Sequence, residues 1–469
     1  MAKSGWDRFR MVVFGAPLEA EESILPISKE RRTYGLLSMF LMFAGTQIAI
    51  SFFVVGASTL RGVTVASALL AVLLGYGVIG GWLTSLIGRI GFSEGVPTMV
   101  AARPSFGVRG SILGVIITLV ELGGWNAVHV ALGGNALYLL LTILNLVPAT
   151  PAWMLACVMF IGVLALVIAS RGGIAIKNLA LVVVPILFVV LIYITIVAAA
   201  SKPWGEILAF QTEGTGNPLY IFDIMIISAL TWAPLCADYS RLTKTRAAGT
   251  LGILAALLIV GTGMHGIGMI SAAGVGEANP LNAMARIGGI AGFVALFTIV
   301  FATLTTAVML LYSSSMSLIN TVESFGGKGR LWWASLVIGV PCIVLACFIQ
   351  VIYFVIPYLD LLGLALCPLF GVMLFDYYFL RRSKGFKTDD LYASGKGSYW
   401  GFKGFNVAGY TAWVVGAVAY ELLMRFVKPM YPWVIVSVCT LLIAGVLYLI
   451  LVKALPVERK VATGRGANL

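Results

Sequence analysis

Few residues in this sequence can do chemistry, and those that can sit inside long apolar runs. Glu121, Trp125 and His129 recur every four residues within the run 111–141. On a helix that spacing sets a carboxyl, an indole and an imidazole along one face. An ionisable group in a membrane helix costs roughly 2.5–3.5 kcal/mol to insert and marks a functional position by default. A structural Glu–His pair, or a Glu121 near the membrane surface, is the alternative. A second run carries Gly45-Thr46-Gln47 at its middle, and a third carries Ser228 and then Thr231-Trp232-Ala233-Pro234. Proline removes a backbone donor and frees a carbonyl, so both read as broken helices, with a plain kink as the alternative. Thr305 and Thr306 stand side by side in a fourth run. Hydroxyls in such places either bond back to their own helix or lend oxygens to a hard cation. His265 stands alone in a Gly-rich run and reads as a packing residue. Glu277 and Arg286 read as loop residues, and Asp223, Asp360 and Glu421 as water-facing residues near run ends.

The elements that must position these groups follow from composition. Of 469 residues, 60% are hydrophobic and 11% charged, against roughly 25% charged in a soluble domain. At about 20 apolar residues per crossing, the chain holds about twelve transmembrane helices. The runs lie at 35–57, 63–88, 111–141, 152–170, 178–200, 219–237, 249–274, 291–319, 331–350, 352–380, 405–425 and 431–453. The division at 350–352 is the least secure, and Pro357 and Pro368 interrupt the tenth run. With the N-terminus in the cytoplasm, only Arg61, Lys202, Arg286, Arg425 and Lys428 fall outside. The other 26 of the 31 Lys and Arg fall inside, as the positive-inside rule demands. Both termini are therefore expected in the cytoplasm. The net charge of +12 then reports topology and lipid attraction rather than nucleic-acid binding. The chain divides into a tail at 1–30, a membrane domain at 31–455 and a tail at 456–469. The stretch Trp6–Phe14 suits a membrane surface or a free tail equally.

Six cysteines lie in or near the runs without metal-ligand spacing, and no Walker loop, HExxH or GxSxG occurs. The segment 381–404, the longest polar stretch between runs, is too short for an ATP-binding domain. An enzyme, a primary pump and an organic cofactor are therefore not expected. A secondary transporter or a channel remains.

Two motifs carry a resemblance. Ala102-Arg103-Pro104-Ser105-Phe106-Gly107-Val108-Arg109-Gly110-Ser111 precedes the third run, and Phe375-Asp376-Tyr377-Tyr378-Phe379-Leu380-Arg381-Arg382 closes the tenth. With Asp390-Leu391-Tyr392 and Gly404-Phe405-Asn406, they resemble the nucleobase–cation symporter-1 family of purine and cytosine permeases, over roughly residues 30–455. The resemblance implies an all-α, LeuT-like fold. Two inverted five-helix repeats, about 35–200 and 219–380, would be followed by two peripheral helices at about 405–453. It also implies a planar heterocycle held between the first, third, sixth and eighth spans.

By position, Trp125 and Trp232 match indoles that stack on the substrate. Gln47 and Ser228 match polar contacts, and His129 falls where related members have Gln. Thr305 and Thr306 match hydroxyl ligands of a sodium ion, and Phe43, Thr46 and Ala302 match its backbone-carbonyl ligands. The pattern departs in one place. Where the family has Asn in the eighth span, this chain has Ala307-Val308-Met309-Leu310-Leu311. Glu121 and His129 then stand as candidates for the missing polarity, and Glu121 as a proton site. The implied function is import of a nucleobase, cytosine or purine-like, across a bacterial inner membrane by symport with sodium or a proton. A permease for hydantoin, allantoin or a vitamin pyrimidine is the alternative, and a channel or non-transporting receptor of the same fold stands behind it.

Overall fold

The computed structural model describes residues 25–455 except 171–173, 278, 288, 325–329, 382–383, 394 and 396. The tails at 1–24 and 456–469, and with them Trp6–Phe14, lie outside the described residues. Among the described residues, helices account for nearly all of the regular structure, and the bridges are isolated residue pairs. That is what the bilayer requires of an apolar chain, because a helix satisfies its backbone polar groups internally.

Among the described residues, ten helices are long and apolar enough to cross a membrane, and the bent pair Leu36–Gln47 and Ile50–Ser58, counted as one span, gives eleven. Between Pro151–Ser170 and Pro218–Ser240 runs the helix Ile174–Ala200, at the expected fifth position. The doubtful division is real: Ile349 and Gln350 are extended and separate Leu331–Phe348 from Val351–Phe375. The third, sixth, eighth and tenth spans are mostly buried, whereas the fourth and ninth turn most of their surface outward. Trp153, Phe160, Trp332, Trp333 and Phe348 form part of that exposed apolar surface. Water would not tolerate such a belt, but a hydrocarbon solvent does.

Irregularities come in pairs. The first span breaks after the 12 residues of Leu36–Gln47, and its halves are bent by 61°. Ile48 (ψ 73°) and Ala49 (φ −136°, ψ 145°) leave the helical region. The sixth breaks after the 13 residues of Pro218–Leu230, and a new helix, Ala233–Ser240, starts with Pro234 in its first turn. A proline there gives up a donor that would be unpaired anyway. The second and seventh spans each contain a wider π segment, Leu73–Gly80 and Ala256–Gly261. These two spans meet where Gly77 lies against Thr262 and Leu258. The first span's second half packs on the seventh so closely that a Cβ at Gly56 would sit 2.1 Å from the His265 carbonyl oxygen.

Charges segregate to the two ends of the bundle. At one end Arg61 pairs its backbone with Thr212, Lys202 donates to the Ala273 carbonyl, and Arg286 meets Glu277. At the other, Arg32 donates to the Phe92 carbonyl, Arg103 to that of Leu391, and Glu94 accepts from Tyr377 and the Phe386 amide. Two acidic residues are corrected here. Asp223 does not face water: it is fully buried, ion-paired to Lys428 at 2.6 Å, and accepts from the amides of Val436 and Ser437. Asp360 is partly buried and bonded to Tyr420 at 2.5 Å. Glu421 is half-exposed and pairs with Arg425 one turn on.

Candidate substrate and cation site

The break in the first span carries a chain of side chains. Tyr76, from the second span's π segment, donates its hydroxyl proton to Gln47 Oε1. Gln47 Nε2 donates to Thr46 Oγ1 at 3.1 Å, and Thr46 Oγ1 donates to the Phe43 carbonyl at 2.7 Å. Gln47 and Phe43 are buried; Thr46 is half-buried. The helix ends at Gln47, so Phe43, Thr46 and Gln47 lie at its C-terminal end, where the carbonyls after Ala44, which still accepts from the Ile48 amide, lose their intrahelical partners.

Aromatic rings surround this turn. Trp232, at the break of the sixth span, stacks on Phe52 with centroids 5.9 Å apart and planes 22° apart. Phe52 meets Tyr76 and His265 edge-on, and the Tyr76 and His265 rings lie 4.7 Å apart. His265 is buried against these rings, as a packing residue is, and its Nδ1 bonds to the Gly261 carbonyl at 2.7 Å. Its Nε2 has no partner among the described residues. Gln47 and Trp232, distant in sequence, thus belong to one cluster. Ser228 is buried one turn before Trp232, its carbonyl accepting from Thr231.

The third span, Ile112–Ile143, presents the other set. Glu121 and His129 are buried and Trp125 between them is half-buried. Glu121 Oε2, both ring nitrogens of His129 and the Thr118 hydroxyl have no partner among the described residues. Native proteins rarely leave buried polar atoms unpaired, and a row of them along one face is what a site awaiting a polar ligand looks like. Glu121 and His129 do not bond to each other, which removes the structural-pair alternative. The Trp125 ring meets Tyr358 of the tenth span edge-on at 5.8 Å, and the Tyr358 hydroxyl donates to the Glu121 carbonyl at 2.7 Å. Gly124 makes room for that ring, since a Cβ there would lie 2.3 Å from it. Trp125 and Trp232 are not ring partners of each other; each has its own aromatic neighbour.

In the eighth span, Thr305 and Thr306 both donate to the Ala302 carbonyl, at 2.8 and 2.9 Å. Their protons are spent on their own helix, yet each hydroxyl oxygen keeps lone pairs. The backbone carbonyls of Phe43, Thr46 and Ala302 and the hydroxyls of Thr305 and Thr306 are neutral oxygen donors of the kind a hard monovalent cation accepts. No group of three or more His, Cys, Asp or Glu able to hold a metal occurs among the described residues.

Sequence reasoning missed Tyr76, Phe52, Asn126 and Tyr358. Tyr76 hides between Gly75 and Gly77 in an otherwise apolar run. Asn126 stands one residue past Trp125 and is one of two amides of the third span, with Asn135, which is the signal that could have found it.

The chain has clear relatives. A family profile for permeases of cytosine/purines, uracil, thiamine and allantoin matches residues 26–447. A purine-uracil permease of Arabidopsis thaliana is 26% identical over 441 residues, covering 86% of this chain and 71% of its own. A hydantoin permease of Microbacterium maritypicum is 25% identical over 439 residues, covering 88% and 86%. Among solved structures, the nucleobase-cation-symport-1 transporter Mhp1 superposes in two states. Its closed form with bromovinylhydantoin gives a TM-score of 0.73 at 20% identity, covering 94% of this chain and 98% of that one. Its inward-facing form gives 0.77 at 21%, covering 92% and 94%. MhsT in complex with L-phenylalanine follows at 0.51 and 15% identity, covering 88% and 98%. At these identities the structural matches establish the LeuT-like fold of two five-helix repeats.

Proposed function

The chain belongs to the nucleobase–cation symporter-1 family of membrane permeases, and from that premise we propose that it imports a nucleobase by cation symport through alternating access. The observation that carries this reading is the row of unpaired polar atoms flanking Trp125 on the third span. A nucleobase is a flat π surface with a hydrogen-bonding rim. An indole takes the face, and groups above and below it on the helix take the rim. His129 offers one nitrogen as donor and the other as acceptor, a combination that a base edge matches. Gln47 supports the same reading from the first span, because Tyr76 fixes its amide while one N–H stays free. Sodium would be held by the carbonyls of Phe43, Thr46 and Ala302 and the hydroxyls of Thr305 and Thr306. It is the preferred coupling ion because that set is uncharged, and a proton taken at Glu121 is the alternative. Transport is directed inward across a bacterial inner membrane, with both termini cytoplasmic, in keeping with the distribution of Lys and Arg.

A second reading has a specific observation behind it. Gln47 and Trp232 share one cluster, and these are the residue types the hydantoin-type members carry at both positions, so a hydantoin or allantoin is the next substrate class. Uptake of labelled cytosine, uracil, hypoxanthine, allantoin and hydantoin into proteoliposomes, with sodium and pH gradients imposed separately, tests both. Saturable uptake of one of the three bases supports the first reading, and uptake confined to allantoin or hydantoin supports the second. Binding with no uptake of any compound would make the protein a receptor.

A further inference from the structure

Thr46 occupies a position whose backbone carbonyl is assigned to the cation, but its side chain does something separate. Its hydroxyl has one proton and two lone pairs. The proton goes to the Phe43 carbonyl at 2.7 Å, and one lone pair accepts from Gln47 Nε2 at 3.1 Å. Gln47 Oε1 is held in turn by Tyr76. One unbranched path of hydrogen bonds therefore runs from a candidate substrate contact, the Gln47 amide, to a candidate cation contact, the Phe43 carbonyl. Every link lies within the last turn before the 61° break.

Resting on the cation-symport reading above, we propose that the Thr46 hydroxyl is the positioning group that couples substrate affinity to cation affinity. A helix end is the least constrained part of a helix, since its final carbonyls have lost their partners. A cation drawing on the Phe43 carbonyl fixes one end of the path, and Thr46 transmits that order to the Gln47 amide. Substrate held by the amide orders the same turn from the other side. Whichever ligand binds second finds the turn already ordered and binds more tightly, and linkage makes the gain equal for both. The neighbouring residues do not offer a parallel path. Gly45 has no side chain, and the hydroxyls of Thr305 and Thr306 turn to Ala302 on their own helix.

The test is the ratio of substrate Kd without sodium to Kd with saturating sodium, using choline as the replacement ion. The purified full chain is used, with labelled uracil as first probe and the rest of the heterocycle panel after it. In the wild type the ratio is expected in the range of about 5–150 typical of coupled sites. Thr46→Val keeps the backbone carbonyl and the branched shape but removes the hydroxyl; its ratio should fall to near one while it still binds substrate. Thr46→Ser should restore the wild-type ratio. Thr46→Ala gives the same reading if the valine variant does not fold. A Thr46→Val or Thr46→Ala protein that keeps the wild-type ratio overturns the coupling role and leaves the cation-symport reading intact. A wild type whose affinity for every compound ignores sodium overturns the sodium reading, and the coupling role with it.

Discussion

Asn126 of the third span donates its side-chain amide to the main-chain carbonyl of Ala307 in the eighth, at 2.6 Å. The stretch Ala307–Leu311 is the part of the eighth span that lacks the amide usual in this family. Here an amide from the facing helix meets that stretch instead, giving one of its two N–H groups to a backbone carbonyl. The same two helices approach closely at Gly133, where a Cβ would lie 2.5 Å from Thr303 Oγ1. This bond ties the two helices together, and under the proposed function the substrate's polar edge would be met by the unpaired groups of the third span.

Trp125 should be the substrate's stacking platform. Stacking of a base on an aromatic ring is worth about 1–3 kcal/mol, so Trp125→Ala should weaken uptake of the native substrate by about 5- to 140-fold. Trp125→Phe should retain part of it. The measurement is initial uptake rate at substrate concentrations below KM. Normal uptake by the alanine variant would remove Trp125 from the site.

Thr305 and Thr306 should hold the cation. Replacing both with alanine should abolish the sodium dependence of substrate binding while the protein remains inserted and folded. Binding isotherms with and without sodium give the answer. Wild-type binding that follows pH and is indifferent to sodium would reassign coupling elsewhere, with Glu121 the first carboxyl to examine.

His129 should read the substrate edge. His129→Gln keeps a donor and an acceptor, so transport should survive with an altered substrate ranking. His129→Leu fills the space without either and should lose transport. Competition by the heterocycle panel measures the ranking, and a leucine variant with native affinity and ranking would make His129 a packing residue. Glu121→Gln, alongside it, should flatten the pH dependence of uptake if the carboxyl carries a proton; an unmoved profile would make Glu121 structural.

The Asp223–Lys428 pair should be a structural tie between the sixth span and the eleventh-to-twelfth connection. Removing one member of a buried pair costs about 3–5 kcal/mol, because the other charge stays buried alone. Lys428→Met should therefore lower the thermal stability of detergent-solubilised protein sharply. Adding Asp223→Asn should recover part of the loss. A Lys428→Met protein as stable as the wild type would mean the pair is solvated in the membrane-bound form.

The spans were legible because the bilayer imposes one simple pattern, an apolar length set by its thickness. The breaks at Gln47 and Trp232 were legible too, since polar residues and a proline interrupt an otherwise uniform run. Asp223 was misread for a physical reason. Its proximity to a run end suggested water, but Lys428 and the amides of Val436 and Ser437 arrive from more than 200 residues away. No local pattern encodes such a meeting. The same holds for Tyr76, whose hold on Gln47 needs the second span laid beside the break, and for Tyr358, whose partner is a backbone carbonyl. Local polarity marks which residues are unusual, while only packing decides which of them are satisfied and which wait for a ligand.

Under the proposed function, heterocycle import is coupled to a cation gradient. The most direct measurement is accumulation of labelled substrate in sealed proteoliposomes under an inward sodium gradient, followed by chase with excess unlabelled substrate. Sodium-coupled symport gives uptake above the external concentration, collapse of the accumulation when sodium is equalised, and rapid exchange of label during the chase. Uptake that stops at equal concentrations under every imposed gradient would contradict it.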